Sequence, residues 1–256
     1  MPRIQIDDPA DPRIAWFSGL RDRDLRIHDG LFVVESDLVI ERAVAAGYTP
    51  RGALIAGDRP SRLQLPPDVP MYVAGPDVLE RITGLAVHRD SLAAFDRRPV
   101  PSPAEVLAGR SRVLVLDGVM NPTNLGIIAR TAAALNWEAM LLSHDSTDPL
   151  FRRASRVAMG SVFRLPYAHL ERFPGGLSAL DGFSVVALDL APDAESLDDV
   201  EFEADERVAL LLGSEGPGIS AYARERCDRL VRIPIGDSVD SLNVAAAAAV
   251  ACWALR

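Results

Sequence analysis

Five short apolar runs dominate the second half of the chain: VLVLDG (113–118), AMLLS (139–143), SVVALDL (184–190), RVALLLG (207–213) and LVRIPI (230–235). Their residues are apolar in succession rather than at every second position, so each run reads as a strand buried on both faces. Helix-like segments separate them. Asn124 to Leu135 places Leu125, Ile128, Ala132 and Leu135 on one face, and residues 149–159, Ile219 to Asp228 and Ser241 to Leu255 follow. Strands alternating with helices predict a doubly wound α/β domain around a mostly parallel sheet. Ligands in such sheets sit beyond the carboxyl ends of the strands. The turns that follow the runs are therefore where chemistry is to be sought.

The first part of the chain carries weaker signals of the same kind. LFVVES (31–36) reads as a strand. Asp37 to Ala46, with Leu38, Val39, Ala43 and Ala46, reads as a helix ended by Gly47. ALIAG (53–57) and MYVAG (71–75) are further strands ended by glycine, and short apolar pieces continue through Asp77 to Ile82. These describe a small α/β domain. Between the two parts, RRPVPSPAEVLAGRS (97–111) holds three prolines and few large apolar residues. It predicts a linker over 99–110, dividing the chain into domains 1–98 and 111–256.

A net charge of −9 argues against binding nucleic acid through overall basicity. Such a partner needs a local basic face, or a dimer that concentrates one. Every basic residue is arginine, and the densest group is Arg152, Arg153 and Arg156. That group reads either as a solvated helix face or as a set of phosphate contacts. Cys227 and Cys252 are far apart, and His28, His88, His144 and His169 are scattered, so neither a metal site nor a disulfide framework is expected. The acidic start MPRIQIDDPADPR is no secretory signal, and the longest apolar run, Val244 to Leu255, is too short to span a bilayer. A cytoplasmic protein without membrane or metal is the expectation.

Three turns carry candidate chemistry. In NPTNLGIIARTAAALN (121–136), Thr123 or Asn124 suits a helix cap. Arg130 is a cation within small and apolar neighbours, either solvated or salt-bridged at the surface, or functional. LLLGSEGPGIS (210–220) has the pattern G-x-x-G-x-G, which is neither the dinucleotide fingerprint nor a P-loop. Its glycines allow close backbone approach to a ligand, and Glu215 would repel a phosphate. IPIGDSVDSLNVAAAAAVACWAL (233–255) starts a helix at Asp240 or Ser241 that is apolar nearly all round, so it is expected to be buried against the sheet and a second subunit. Asn243 is the lone polar side chain at its buried start, either a capping amide or a ligand contact.

Together these segments resemble the three signature motifs of the SpoU (TrmH-like) branch of the SPOUT superfamily. Asn124 to Ala132 (NLGIIARTA) resembles the first, Leu212 to Gly218 (LGSEGPG) the second, and Ile233 to Val244 (IPIGDSVDSLNV) the third. DPLFRRASRVAMGSVFRLP (148–166) is similar to the family's arginine-bearing loop, and FVVE (32–35) to a strand of the substrate-binding domain found ahead of many members. Ser36 replaces the usual glycine after that strand, the H-x-G-x-x-A region appears as His88, Arg89, Asp90 and Ala93, and Ala158 and Ala245 stand where serine is common.

The resemblance implies a C-terminal domain tied in a deep trefoil knot, a homodimer, S-adenosylmethionine as cofactor, and methylation of a ribose 2'-hydroxyl in RNA. It assigns Asn124, Arg130, Glu215, Ser241 and Asn243 to the reacting centre. It assigns Leu188, Gly213, Glu215, Gly216, Ile233, Leu242 and Asn243 to the cofactor, and Arg152, Arg153 and Arg156 to RNA. A full N-terminal domain favours ribosomal RNA over tRNA. A catalytically silent RNA-binding protein of the same fold is the competing expectation. A nucleotide-dependent oxidoreductase is disfavoured by the reversed glycine pattern.

Overall fold

Two sheets organise the chain, and their strands obey different pairing rules. The computed structural model describes residues 3–20, 22–57, 63–83, 91–171, 174–214 and 218–256. They fall into two compact units, one drawn from 1–99 and 150–164, the other from 100–149 and 165–256.

The first unit begins with β1 (Arg3–Ile6), a 3-10 segment (Pro12–Leu20) and a single turn α1 (Asp22–Asp24). It continues through β2 (Leu31–Glu35), α2 (Asp37–Ala45), β3 (Pro50–Ala56), β4 (Met71–Ala74), α3 (Pro76–Thr83) and β5 (Leu92–Asp96). The sheet order is β1-β4-β3-β5-β2. β4 runs parallel to β1 and β3, whereas β5 runs antiparallel to β3 and β2. Ile14, Phe17, Val33, Leu54, Ile82 and Leu92 are buried together. Ser36, between β2 and α2, has φ +87°, a backbone region that disfavours a side chain and suits glycine.

The second unit opens inside the expected linker, with α4 (Pro103–Leu107). Ser102 accepts from the Glu105 amide and Glu105 reaches back to Ser102, a capping box with Pro103 in the first turn. Val106 and Leu107 are buried in the second core. The linker expectation over 99–110 is therefore corrected: proline richness there marks a helix start. β6 (Arg112–Leu116), α5 (Pro122–Ala134) and β7 (Ala139–Ser143) follow. The cap of α5 is Asn121, whose Oδ1 accepts from the Thr123 amide at 2.9 Å, which corrects the expectation of Thr123 or Asn124, two and three residues later.

The chain then returns to the first unit with α6 (Arg152–Val157), so the two units are not contiguous in sequence as a division at 98 and 111 implies. It re-enters the second with β8 (Tyr167–Leu170), β9 (Ser184–Leu188), β10 (Glu195–Ser196), β11 (Val208–Leu212), α7 (Ala221–Arg224), β12 (Arg229–Arg232) and α8 (Val244–Ala254). The sheet order is β10-β12-β9-β11-β6-β7-β8, and every pairing is parallel. Strands β7 and β11 are buried along their whole length, as unbroken apolar runs require. α5 packs on α8, and the Trp137 indole donates to the Cys252 carbonyl at 3.0 Å.

Candidate functional site

A pocket of about 520 Å³ opens at the carboxyl ends of β9, β11 and β12. Leu188 and Leu212 close these strands. The run LVRIPI forms strand only as far as Arg232; Pro234 carries no amide hydrogen for a ladder, and Ile233 and Ile235 line the pocket instead. Ser241, Leu242, Asn243 and Val244 complete the wall at the start of α8.

The turn after β11 explains its glycines. A Cβ on Gly213 would lie 2.4 Å from the Gly218 carbonyl carbon and 2.7 Å from the Ile219 nitrogen, so only glycine lets the turn close on itself. Ser214 and Gly218 hold it shut, each amide donating to the other's carbonyl at 3.2 and 3.1 Å. Gly218 adopts φ +69°. Glu215 and Gly216, both expected at the site, lie outside the described residues, as do His88, Arg89 and Asp90. Asp117, at the end of β6, accepts from the Ser220 amide; burial pushes its carboxyl up, and that hydrogen bond pulls it partly back.

Asn243 is the N-cap of α8, which corrects the expectation of Asp240 or Ser241. Its Oδ1 accepts from the Ala245 and Ala246 amides at 3.0 and 3.4 Å. Its Nδ2 donates to Oδ1 of Asn124, a buried residue in the first turn of α5, at 3.2 Å. The two asparagines singled out by separate motifs thus meet, and they join the starts of two packed helices. Ser241, displaced from the cap, lines the pocket.

Of the residues expected at the cofactor, Leu188, Gly213, Ile233, Leu242 and Asn243 line the pocket. Asn124 and Arg130 do not. Six residues apart on one helix, they point about 120° from each other. Arg130 is exposed and has no ion-pair partner among the described residues, so of the two surface readings the solvated one stands beside the functional one. Arg152, Arg153 and Arg156 belong to the unit that does not carry the pocket. Glu35, its side chain 6% exposed, pairs with both Arg152 and Arg156. Two of the three expected RNA-contacting cations are therefore committed to a buried carboxylate, and Arg153 is exposed.

Two charged pocket residues escaped the motifs. Asp189, its side chain 7% exposed, contacts Arg224 Nη2 through both carboxylate oxygens, at 2.8 and 2.7 Å. Its Oδ1 also accepts from the Ala191 amide at 2.8 Å. The signal was present: Asp189 is the only charge in the run SVVALDL. Among the described residues, no group of histidine, cysteine, aspartate and glutamate could hold a metal ion.

Comparison with known proteins places this geometry. A chain from Mycobacterium tuberculosis named an uncharacterized tRNA/rRNA methyltransferase is 42% identical over 97% of this chain and 90% of its own. A 23S rRNA (guanosine-2'-O-)-methyltransferase of Bordetella pertussis is 36% identical over 70% of this chain and 75% of its own. The crystal structure of an AdoMet-bound rRNA methyltransferase from Sinorhizobium meliloti superposes with a TM-score of 0.82, covering 98% of this chain and 97% of that one at 24% identity, and shows the shared fold. The model of the SpoU rRNA Methylase family matches residues 111–253, the span that holds the pocket and all three motif turns, and the chain belongs to that family.

Proposed function

We propose that this chain is an RNA 2'-O-methyltransferase that uses S-adenosylmethionine and acts on ribosomal RNA. The observation that carries the reading is the pocket itself, built where the second and third motifs meet, with Asn124 of the first motif bonded to Asn243 of its wall. Its volume suits a nucleoside-sized ligand. Its wall is largely aliphatic, matching an adenine ring, and its described charges are one carboxylate and one guanidinium, matching a ligand that bears both signs. The cofactor supplies an activated methyl on a sulfonium centre. The pocket residues hold it: Leu188, Ile233 and Leu242 by apolar contact, with the backbone at Gly213 free to approach closely. The second motif assigns Glu215 and Gly216 to the cofactor as well, and the third assigns Ser241 to the substrate.

Much of the catalysis then comes from placing the ribose hydroxyl. Arg130 is the residue for this, helped by Asn124. A guanidinium with a pKa above 12 is a poor base. Arg130 instead grips the adjacent phosphate and stabilises the oxyanion that develops on the 2'-oxygen. Arg153 and the exposed part of Arg156 contact RNA phosphates, an interaction that salt weakens. The final chain segment threads a deep trefoil knot, and a homodimer forms across α5 and α8, whose Ile127, Val250 and Trp253 are exposed. No helix among the described residues is long and apolar enough to cross a membrane; work on ribosomal RNA places the chain in the cytoplasm under this reading.

The test is transfer of labelled methyl to total RNA by the natural chain and by Arg130→Ala and Arg130→Lys. Label on ribose 2'-oxygens, lost in both variants, supports the reading. Full activity in Arg130→Lys contradicts the two-pronged grip. Cofactor binding without transfer to any RNA turns the reading to a catalytically silent RNA-binding protein.

A further inference from the structure

The pocket is aliphatic except for a short polar stretch, and its only charged side chains among the described residues are Asp189 and Arg224. Their arrangement is asymmetric. Asp189 is more than nine-tenths buried and fully engaged, by the Ala191 amide and by Arg224 Nη2. Arg224 is 41% exposed, and Nη2 alone is taken up. Its Nε and Nη1 have no partner among the described residues, and the side chain lines the pocket. A buried carboxylate that fixes one corner of a guanidinium and leaves its other donors facing a cavity is built to present those donors to an anion. α7 supports this placement. It is a single turn, held by the Ser220 hydroxyl, which accepts from the Ala223 amide at 3.2 Å, so Arg224 leaves a fixed point.

We infer that Arg224 binds the α-carboxylate of the cofactor's methionine moiety, and that Asp189 is the positioning residue that aims it. This rests on S-adenosylmethionine being the pocket's ligand. The carboxylate is the one anionic group of that molecule, and Arg224 is the one cation that the described pocket wall offers. The pair thereby distinguishes a complete amino-acid tail from a truncated one.

The experiment is equilibrium binding of S-adenosylmethionine and of decarboxylated S-adenosylmethionine, which differs only in lacking that group. Both are titrated into the natural chain, Arg224→Ala and Asp189→Asn. A charge-assisted contact of ordinary strength predicts that the natural chain prefers the complete molecule by roughly 10-fold or more. Arg224→Ala abolishes the preference, by weakening S-adenosylmethionine while leaving the decarboxylated form unchanged or slightly tighter, since a repelling cation has gone. Asp189→Asn narrows the preference without abolishing it. Equal weakening of both ligands by Arg224→Ala would make the pair a mere wall of the pocket and overturn the inference. So would a preference that survives the substitution. A natural chain that binds neither molecule overturns the cofactor reading and this inference with it, whereas binding of both with no preference overturns this inference alone. The decarboxylated ligand also reports folding, because a collapsed variant would lose it.

Discussion

Glu35 in the first unit and Asp189 in the second are both carboxylates buried against arginine, and the two arrangements serve different ends. Glu35 in the first unit is 6% exposed and meets two guanidinium groups, those of Arg152 and Arg156. Asp189 in the second is 7% exposed and meets one, at a single nitrogen, on the wall of a cavity. A carboxylate surrounded by cations is closed, and its work is to hold α6 against β2. A carboxylate that takes one corner of a guanidinium leaves charge for a ligand. Equal burial thus says little about role; what matters is which donors are left over.

The comparison can be broken by substitution. Glu35→Ala removes the buried carboxylate that Arg152 shares with the half-exposed Arg156, and loss of one partner of a buried pair costs about 3–5 kcal/mol. Urea unfolding should show that loss while the folded variant keeps its affinity for S-adenosylmethionine. A large drop in affinity with unchanged stability would reverse the roles assigned to the two units. Gly213→Ala should act the other way round. The added methyl meets the backbone of Gly218 and Ile219, and forcing the turn open costs roughly 1–3 kcal/mol, as overpacking does. That strain falls on the pocket, so cofactor affinity should drop by at least as much as stability, measured by calorimetry on the folded variant. Asn243→Ala should cost about 2 kcal/mol, because it removes a helix cap and the hydrogen bond that the buried Asn124 Oδ1 accepts. Asn243→Asp, which keeps the cap but replaces the donor to Asn124, should retain only the capping part.

The two units were also unequally legible in the sequence. The parallel sheet could be read because its strands are apolar on both faces, so AMLLS and RVALLLG leave no other assignment. The mixed sheet of the first unit hid more. β1 sits in RIQI within an acidic stretch, and β5 in LAAFD offers alanines rather than β-branched residues. Short-range pattern also cannot say that α6, which starts 56 positions after the end of the first unit's last strand, packs back on β2; only tertiary contact decides that. At the site, motifs identified Gly213, Ser241 and Asn243, because glycine turns and asparagine caps have local causes. The meeting of Asn124 with Asn243, and of Asp189 with Arg224, joins residues 119 and 35 positions apart, and no periodicity reports it. The isolated Asp189 inside an apolar run was the one local hint, since a buried charge needs a partner somewhere.

The smallest expected effect gives the finest probe of the contrast. Burial raises the Cys252 thiol to about 12 and the Cys227 thiol to about 11. The thiolate is the reactive form, so at pH 8 only about 0.1% of a thiol with a pKa near 11 is ionised, and both should alkylate slowly in the folded chain. Cys227 carries a further signal: after burial, the charges of Asp228 and Asp189 raise it, and Arg224 lowers it. Asp189→Asn should therefore lower the Cys227 pKa and speed its reaction with iodoacetamide. Arg224→Ala should raise the pKa and slow the reaction. Opposite signs from two members of one ion pair cannot arise from general loosening, which would accelerate both. Glu35→Ala should leave Cys227 unmoved so long as the chain stays folded, because Glu35 is not among the charges acting on that thiol. Identical rate changes in the two Asp189 and Arg224 variants would instead mean that α7 shifts as a body when either partner is removed, and that the pair anchors the helix before it presents any charge to the pocket.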